Sequence, residues 1–287
     1  MKKTVTSKFE IKLEFDKNTE NPSRLFRTFA EIIEDVRNLD NVLAKCINTS
    51  VSTKIFLNDI EKGSLIAKLW DELVINEDNK LDDLQEPEKI SNFIEKSRSK
   101  ALEFLQDNKS SVDDLEKLSD DIEEIANEEN LAETFNYGKP DILELAKSLN
   151  DISETTEKLT DNEKLIVKNS NDKSEELTNN VAKIDIEDVE KALTAEEYNN
   201  ESIVFYKIKK PDFLGDSQWE FKHGNKSLKI KITDVNWLEK FKNGIEIVVP
   251  GDSLKVRISQ NFKYNRNGYL ISEKTEIIEV LGIIKNQ

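Results

Sequence analysis

Asp212, Glu220 and Lys222 are the residues whose types and spacing could most sharply do chemistry. Two carboxylates could hold a divalent cation while Lys222, two residues beyond Glu220 and on the same strand face, steadies an activated water for phosphodiester cleavage. The same letters also arise on any strand with an alternating charged side, and Glu10-Ile11-Lys12 repeats them elsewhere in the chain. The rest of the catalytic inventory is thin. The single histidine, His223, stands beside Gly224-Asn225 in what reads as an exposed turn, with no orienting partner for a general base. The single cysteine, Cys46, falls on an apolar helical stripe and reads as a small buried hydrophobe. One Cys and one His exclude a disulfide framework and a zinc site built from Cys and His ligands within one chain. Only eight glycines occur, and none forms a phosphate-binding loop. Gly138-Lys139 superficially resembles the end of one, but Pro140 stands where a hydroxyl residue should hold magnesium and Glu133 where the first glycine should be.

Pro211-Asp212 followed by Glu220-Phe221-Lys222 matches, letter for letter, the PD-(D/E)xK nuclease pattern, although the eight-residue interval leaves little room for its usual strand geometry. The acidic pairs Asp82-Asp83, Asp113-Asp114, Asp120-Asp121 and Glu123-Glu124 do not improve the case for a metal, because adjacent helical residues do not share a face. No metal site and no cofactor is expected. A second chemistry is binding. Lys207, Lys209, Lys210, Lys222, Lys229, Lys231, Lys263 and Arg266 are interleaved with aromatic residues from Tyr206 to Tyr264. Rings that stack bases beside cations that meet phosphates are how small barrels hold single-stranded nucleic acid. Alternation also turns Trp219 and Phe221 inward and Lys222 outward, so these rings could equally be core.

The elements that must position these residues follow from composition and periodicity. The 287 residues are 35% charged and 37% hydrophobic, which is polar for a folded chain but not the composition of a disordered one. Charge divides the chain into three expected regions. Residues 1–80 are nearly balanced, residues 81–199 carry 14 basic and 33 acidic side chains, and residues 200–287 carry 15 and 11. The net charge of −16 thus hides a basic carboxyl-terminal region. No apolar run could span a bilayer, and the chain opens without a hydrophobic signal core, so a cytoplasmic protein without membrane association is expected.

Phe9, Ile11, Leu13 and Phe15 alternate as a half-buried strand. The apolar positions from Leu25 and Phe26 to Ile47 recur at helical spacing. Val51 to Leu57 reads as a strand, and Leu65 to Val74, beyond Gly63-Ser64, as strand or helix. Helices are expected from Pro87, after Ser110 or Ser111, near Pro140, and over Ile186 to Leu193. A short β-like run falls at Leu165-Ile166-Val167 and a loop from Asn169 to Asn180. From Ser202 about six strands are separated by turn residues. Gly215-Asp216-Ser217, His223-Gly224-Asn225, Pro250-Gly251-Asp252 and Asn267-Gly268 mark the turns, and Trp237, Leu238 and Phe241 mark a short capping helix. The fold class expected is α+β: an N-terminal strand-helix-strand unit, an acidic helical middle, and a C-terminal mainly-β small barrel or sandwich.

The stretch Asp59-Ile60-Glu61-Lys62-Gly63-Ser64, and the segment from Lys209-Lys210-Pro211 through Asp216-Ser217-Gln218-Trp219-Glu220-Phe221, resemble motifs of uncharacterised bacterial proteins of multi-gene systems, some of them antiviral. The resemblance covers about a third of the chain and supplies no catalytic residues. It implies an accessory role in a bacterial multi-protein system. Combined with the missing catalytic motifs, it makes a non-enzymatic adaptor, sensor or accessory subunit the expected function, with a protein partner. Nucleic-acid binding through residues 200–287 and a metal-dependent nuclease are the alternatives.

Overall fold

The computed structural model describes residues 6–15, 19–47, 51–60, 65–75, 87–131, 137–213 and 217–286. Asp82-Asp83, Gly63-Ser64, Glu133 and Gly215-Asp216 lie outside them. The chain divides into two compact units, residues 1–189 and 190–287.

The first unit is a sheet with helices on one face. It contains β1 (Thr6–Glu14), α1 (Pro22–Lys45), β2 (Val51–Ile60), β3 (Leu65–Ile75), α2 (Pro87–Gln106), α3 (Val112–Glu128), α4 (Ile142–Thr156), β4 (Lys164–Asn169) and β5 (Ser174–Leu177). The strand order is β2-β3-β1-β4-β5, antiparallel throughout. Phe9, Ile11 and Leu13 of β1 are buried beside Leu69 and Ala67 of β3 and Leu165 and Val167 of β4. The opposite face carries Lys12, Glu14, Lys164 and Glu176 in a ladder of ion pairs. The ambiguous run after Gly63-Ser64 is therefore a strand. The middle segment also contributes β4 and β5 to the sheet begun by β1 to β3, so residues 1–80 and 81–189 share one core.

Three of these helices begin where the sequence offers an oxygen to the first free amides. Asn21, Ser111 and Asp141 accept from the backbone N–H of Arg24, Asp114 and Glu144, which caps α1, α3 and α4. α1 buries Leu25, Ile32, Val36, Leu39 and Leu43, while Phe26, one residue and about 100° off that stripe, is exposed. Beneath α1 and α2 lies a buried ion pair. Arg98 Nε donates to Asp40 Oδ1 at 2.7 Å, and the Arg98 guanidinium sits 4.1 Å from the centre of the Phe9 ring. Buried Glu175 of β5 accepts from the Ser99 hydroxyl, so a carboxylate faces the core where an apolar side chain would be expected.

The second unit follows α5 (Ile186–Leu193), which runs across the division. It comprises β6 (Glu196–Lys210), β7 (Trp219–His223), β8 (Lys226–Ile232), α6 (Val235–Lys242), β9 (Ser253–Tyr264) and β10 (Leu270–Ile284). These strands close a five-stranded barrel of order β10-β8-β7-β6-β9, which resolves the choice between barrel and sandwich. Four of its contacts are antiparallel. The fifth, between β10 and β8, is parallel and consists of two residue pairs, Glu276 with Lys231 and Ile277 with Ile232. Trp219, Phe221, Ile230, Val256 and Ile258 fill the interior, and Trp237, Leu238 and Phe241 of α6 cap it from one end. Trp219 stacks at 6.1 Å on Phe221 and packs at 4.9 Å against Phe241.

β6, β9 and β10 extend beyond the barrel. Their register continues to Glu196 with Tyr264 and Tyr264 with Leu270. Along this arm Glu196 to Glu201 are all exposed and Ser259 to Tyr264 are half-buried, so neither face has a core. Its tip is the turn expected at Asn267-Gly268. Gly268 N donates to Asn265 O, and only the glycine takes a positive φ, at 76°.

Candidate nucleic-acid interface

β6, β7 and β8 position the basic residues, and the barrel core fixes which side they occupy. Tyr206, Ile208, Trp219, Phe221, Ile230 and Ile232 point inward, so the residues between them must point out. Lys207 pairs in register with Lys222 and Lys222 with Ser227, while Glu220 pairs with Lys229. A bulge between Ile208 and Lys210 brings both Lys209 and Lys210 to the surface. Lys209 is held there by Glu220 at 3.2 Å and by the Ser227 hydroxyl at 3.2 Å. Lys231 continues the row along β8, and all six of these lysines are exposed.

On β6, β7 and β8 the carboxylate among these six lysines is Glu220, which pairs with Lys209, while Lys231 has Glu276 of β10 beside it in register. Lys207, Lys210, Lys222, Lys229 and Lys231 form no ion pair among the described residues. The face is tied together by the hairpin at His223-Gly224-Asn225-Lys226, where Gly224 takes φ of 58° at the first turn position, the pattern of a type II′ turn. His223 is part of that hairpin. Its Nδ1 lies 3.3 Å from the Phe205 carbonyl oxygen, and its ring meets Tyr206 edge-on.

Two basic residues that the sequence grouped with these stand elsewhere. Lys263 pairs in register with Glu197, ten positions along β6 from Lys207, or roughly 33 Å at the usual strand rise. There it contacts Glu190 at 2.6 Å. Arg266 lies in the turn at the arm's tip. Conversely, the sequence reading missed Lys255, which stands opposite Phe205 on the outer side of β9. The alternation of Leu254, Val256 and Ile258 with Lys255 and Arg257 carried that signal.

The aromatic residues divide as the strand alternation predicts. Trp219 and Phe221 are core, with Lys222 outside. The exposed rings of the unit include Phe205, on the outer face of β6, Phe213, in the loop between β6 and β7, and Tyr269, in the loop between β9 and β10. Phe213 is 69% exposed and stacks one face on Phe241 at 5.8 Å.

The three candidate nuclease residues occupy two environments. Glu220 and Lys222 share the outer strand face, as their spacing requires. Asp212 lies in the loop after β6 and accepts from the Ser217 N–H and hydroxyl, each at 2.8 Å. Among the described residues no group of three or more His, Cys, Asp or Glu side chains is disposed to hold a metal ion. Burial pushes the Cys46 thiol up to about 12, which leaves it without useful thiolate at neutral pH. Lys139 is held by Asp120 at 2.7 Å and Glu123 at 2.9 Å.

A second charged surface belongs to the first unit. A groove of about 400 Å³ between α1 and α4 is lined by Glu31, Glu34, Asp35, Asp151, Glu154 and Lys158. Burial raises the Asp35 and Asp151 carboxyls, and neighbouring carboxylates raise them further. No described helix is long and apolar enough to cross a membrane. No family model, curated protein or solved structure matches the chain.

Proposed function

We propose that this protein binds single-stranded nucleic acid on the outer face of β6, β7 and β8, as a non-catalytic subunit in the cytoplasm. The observation that carries the reading is the contiguous sheet face on which five lysines form no ion pair among the described residues. Cations held on a rigid sheet and left unneutralised are a footprint for a polyanion, because each phosphate they meet releases condensed counterions. The connectivity supports the same reading. Five-stranded Greek-key barrels of the OB type bind oligonucleotides on the face of their second and third strands and on the loops after the first and fourth. Here those strands are β7 and β8, and the loop after the first strand carries Phe213. An exposed ring at such a loop is suited to stack an unpaired base, which a duplex would not present.

The test is fluorescence anisotropy of the full chain with a labelled oligothymidylate, in steps from low to physiological salt. Five phosphate contacts give a log–log slope of about −3.5, from roughly −0.7 per contact for single strands. Replacing Lys207, Lys222 and Lys229 together by Gln weakens binding and lowers the slope by about 2. Absence of binding at low salt, or an unchanged slope in the triple variant, rules the assignment out.

The expected protein partner has its own supporting observation, the acidic groove between α1 and α4, whose charge would complement a basic surface. A bacterial multi-gene system, which the resemblance of residues 59–64 and 209–221 implies, would supply both a partner and a strand to bind.

A further inference from the structure

β6 is fifteen residues long, yet β7 covers only its last few. On one side β9 pairs with it from Glu196 to Lys207. On the other side β7 begins at Lys207. The direction of each backbone group follows from the ladder. Ile208 N donates to Asp252 O at 2.7 Å, so the even-numbered residues of β6 turn their N–H and C=O toward β9 and the odd-numbered ones turn theirs away. Two contacts agree with this parity. Lys207 meets β7, and the Phe205 carbonyl is met by the His223 ring at 3.3 Å. Upstream, Glu197, Asn199, Glu201 and Ile203 present their backbone groups to an edge that no strand covers among the described residues.

Exposed edges are normally blunted by lysine, proline or a bulge. From Glu197 to Phe205 there is no lysine, no proline and no break in register with β9. The side chains along this edge are instead adapted for contact. Tyr198, Ile203 and Phe205 are 56%, 49% and 52% exposed, and Glu196, Glu197 and Glu201 make the edge acidic. Glu197 and Glu201 fall on the same face as Ile203, while Tyr198 falls on the other.

We infer that this edge is a docking site for an extended, basic segment of a partner protein, which adds to the sheet as a strand beside β6. Backbone pairing with Glu197, Asn199, Glu201 and Ile203 supplies affinity that is largely blind to sequence. Specificity comes from the side chains. Basic residues at alternate positions meet Glu197 and Glu201, and apolar residues between them cover Tyr198. A second copy of this chain fits less well, because it would bring three further glutamates to the same ribbon. The site is separate from the lysine face and stands whether or not nucleic acid binds there.

The probe is a capped eight-residue peptide that alternates lysine with valine, titrated against the full chain. Hydrogen exchange of the complex is expected to show new protection at the amides of Glu197, Asn199, Glu201 and Ile203, with their even-numbered neighbours already protected by β9. Glu201→Pro removes an outward N–H and leaves the ladder to β9 intact, so it weakens the peptide by about tenfold, the worth of a backbone hydrogen bond or two. A peptide alternating glutamate with valine does not bind. The inference is overturned by equal binding to the Glu201→Pro chain, by protection that does not alternate, or by the absence of binding. It is likewise overturned if sedimentation shows a dimer that the peptide fails to dissociate, since a second copy then occupies the edge.

Discussion

Arg98 and Asp40 are 2% and 0% exposed at their side chains, where each charge stabilises the other. The pair ties α1 to α2, and its cation rests on Phe9 of β1, so one guanidinium bonds three elements together. Arg98→Met alone removes the cation beside a buried carboxylate and is expected to cost about 3–5 kcal/mol. The double change Asp40→Leu with Arg98→Met removes both charges and is expected to recover most of that loss, read by urea unfolding followed at 222 nm. A double variant no better than the single one would mean that the pair adds net stability. None of this was legible in the sequence. Asp40 and Arg98 are 58 positions apart, and each looks like an ordinary charged residue on a polar helix face. Cys46 was legible, because its environment is set by the helical stripe on which it lies.

At the scale of elements, alternation made the barrel readable and polar content hid part of the sheet. Strands whose inward positions are mainly apolar, such as β1, β8 and β9, appear in the sequence with their faces correctly assigned, as does the outward side of Lys222 on β7. β5 does not, because Ser174-Glu175-Glu176-Leu177 places a carboxylate inward and a period of two becomes invisible when one inward residue is charged. The long arm was missed for a related reason. A strand with no core on either face has no hydrophobic pattern to read. The facing of α1 against α4 carries a pH dependence of its own. Asp35 is raised by its burial first, and then by Asp151 and Glu31. A carboxyl whose folded-state value lies above its unfolded one gives stability that is complete below the unfolded value and lost as pH rises through the folded one. Asp35→Asn keeps an acceptor for the Thr155 hydroxyl, which now donates to Asp35 at 2.6 Å. The variant is expected to be more stable than the parent at pH 7, with the difference vanishing below the ordinary carboxylate range. A thermal-melt series across pH checks this, and a constant offset at every pH would contradict it.

Across the whole molecule the charge is distributed by unit. Residues 1–189 carry the acidic excess, while residues 190–287 are slightly basic and are themselves polarised between a lysine face and a glutamate-rich arm. Two cores also mean two folding equilibria unless the units are strongly coupled. Helical signal comes overwhelmingly from α1 to α4, whereas Trp219 and Trp237, two of the three tryptophans, sit in the barrel. Denaturation monitored by circular dichroism and by tryptophan emission is therefore expected to give two transitions that do not coincide. Superimposable curves would show that the units unfold as one.

The barrel closes through the two parallel residue pairs between β8 and β10, whereas the hairpins on either side are held by longer antiparallel ladders. A cylinder with one short seam has a preferred place to breathe. It can part there into two intact antiparallel layers, β6-β7-β8 and β9-β10, still hinged where β6 meets β9, without unzipping either hairpin. Trp219, whose buried indole N–H has no hydrogen-bond partner among the described residues, would be wetted early in such an opening, and the lysine face would travel with it as one layer.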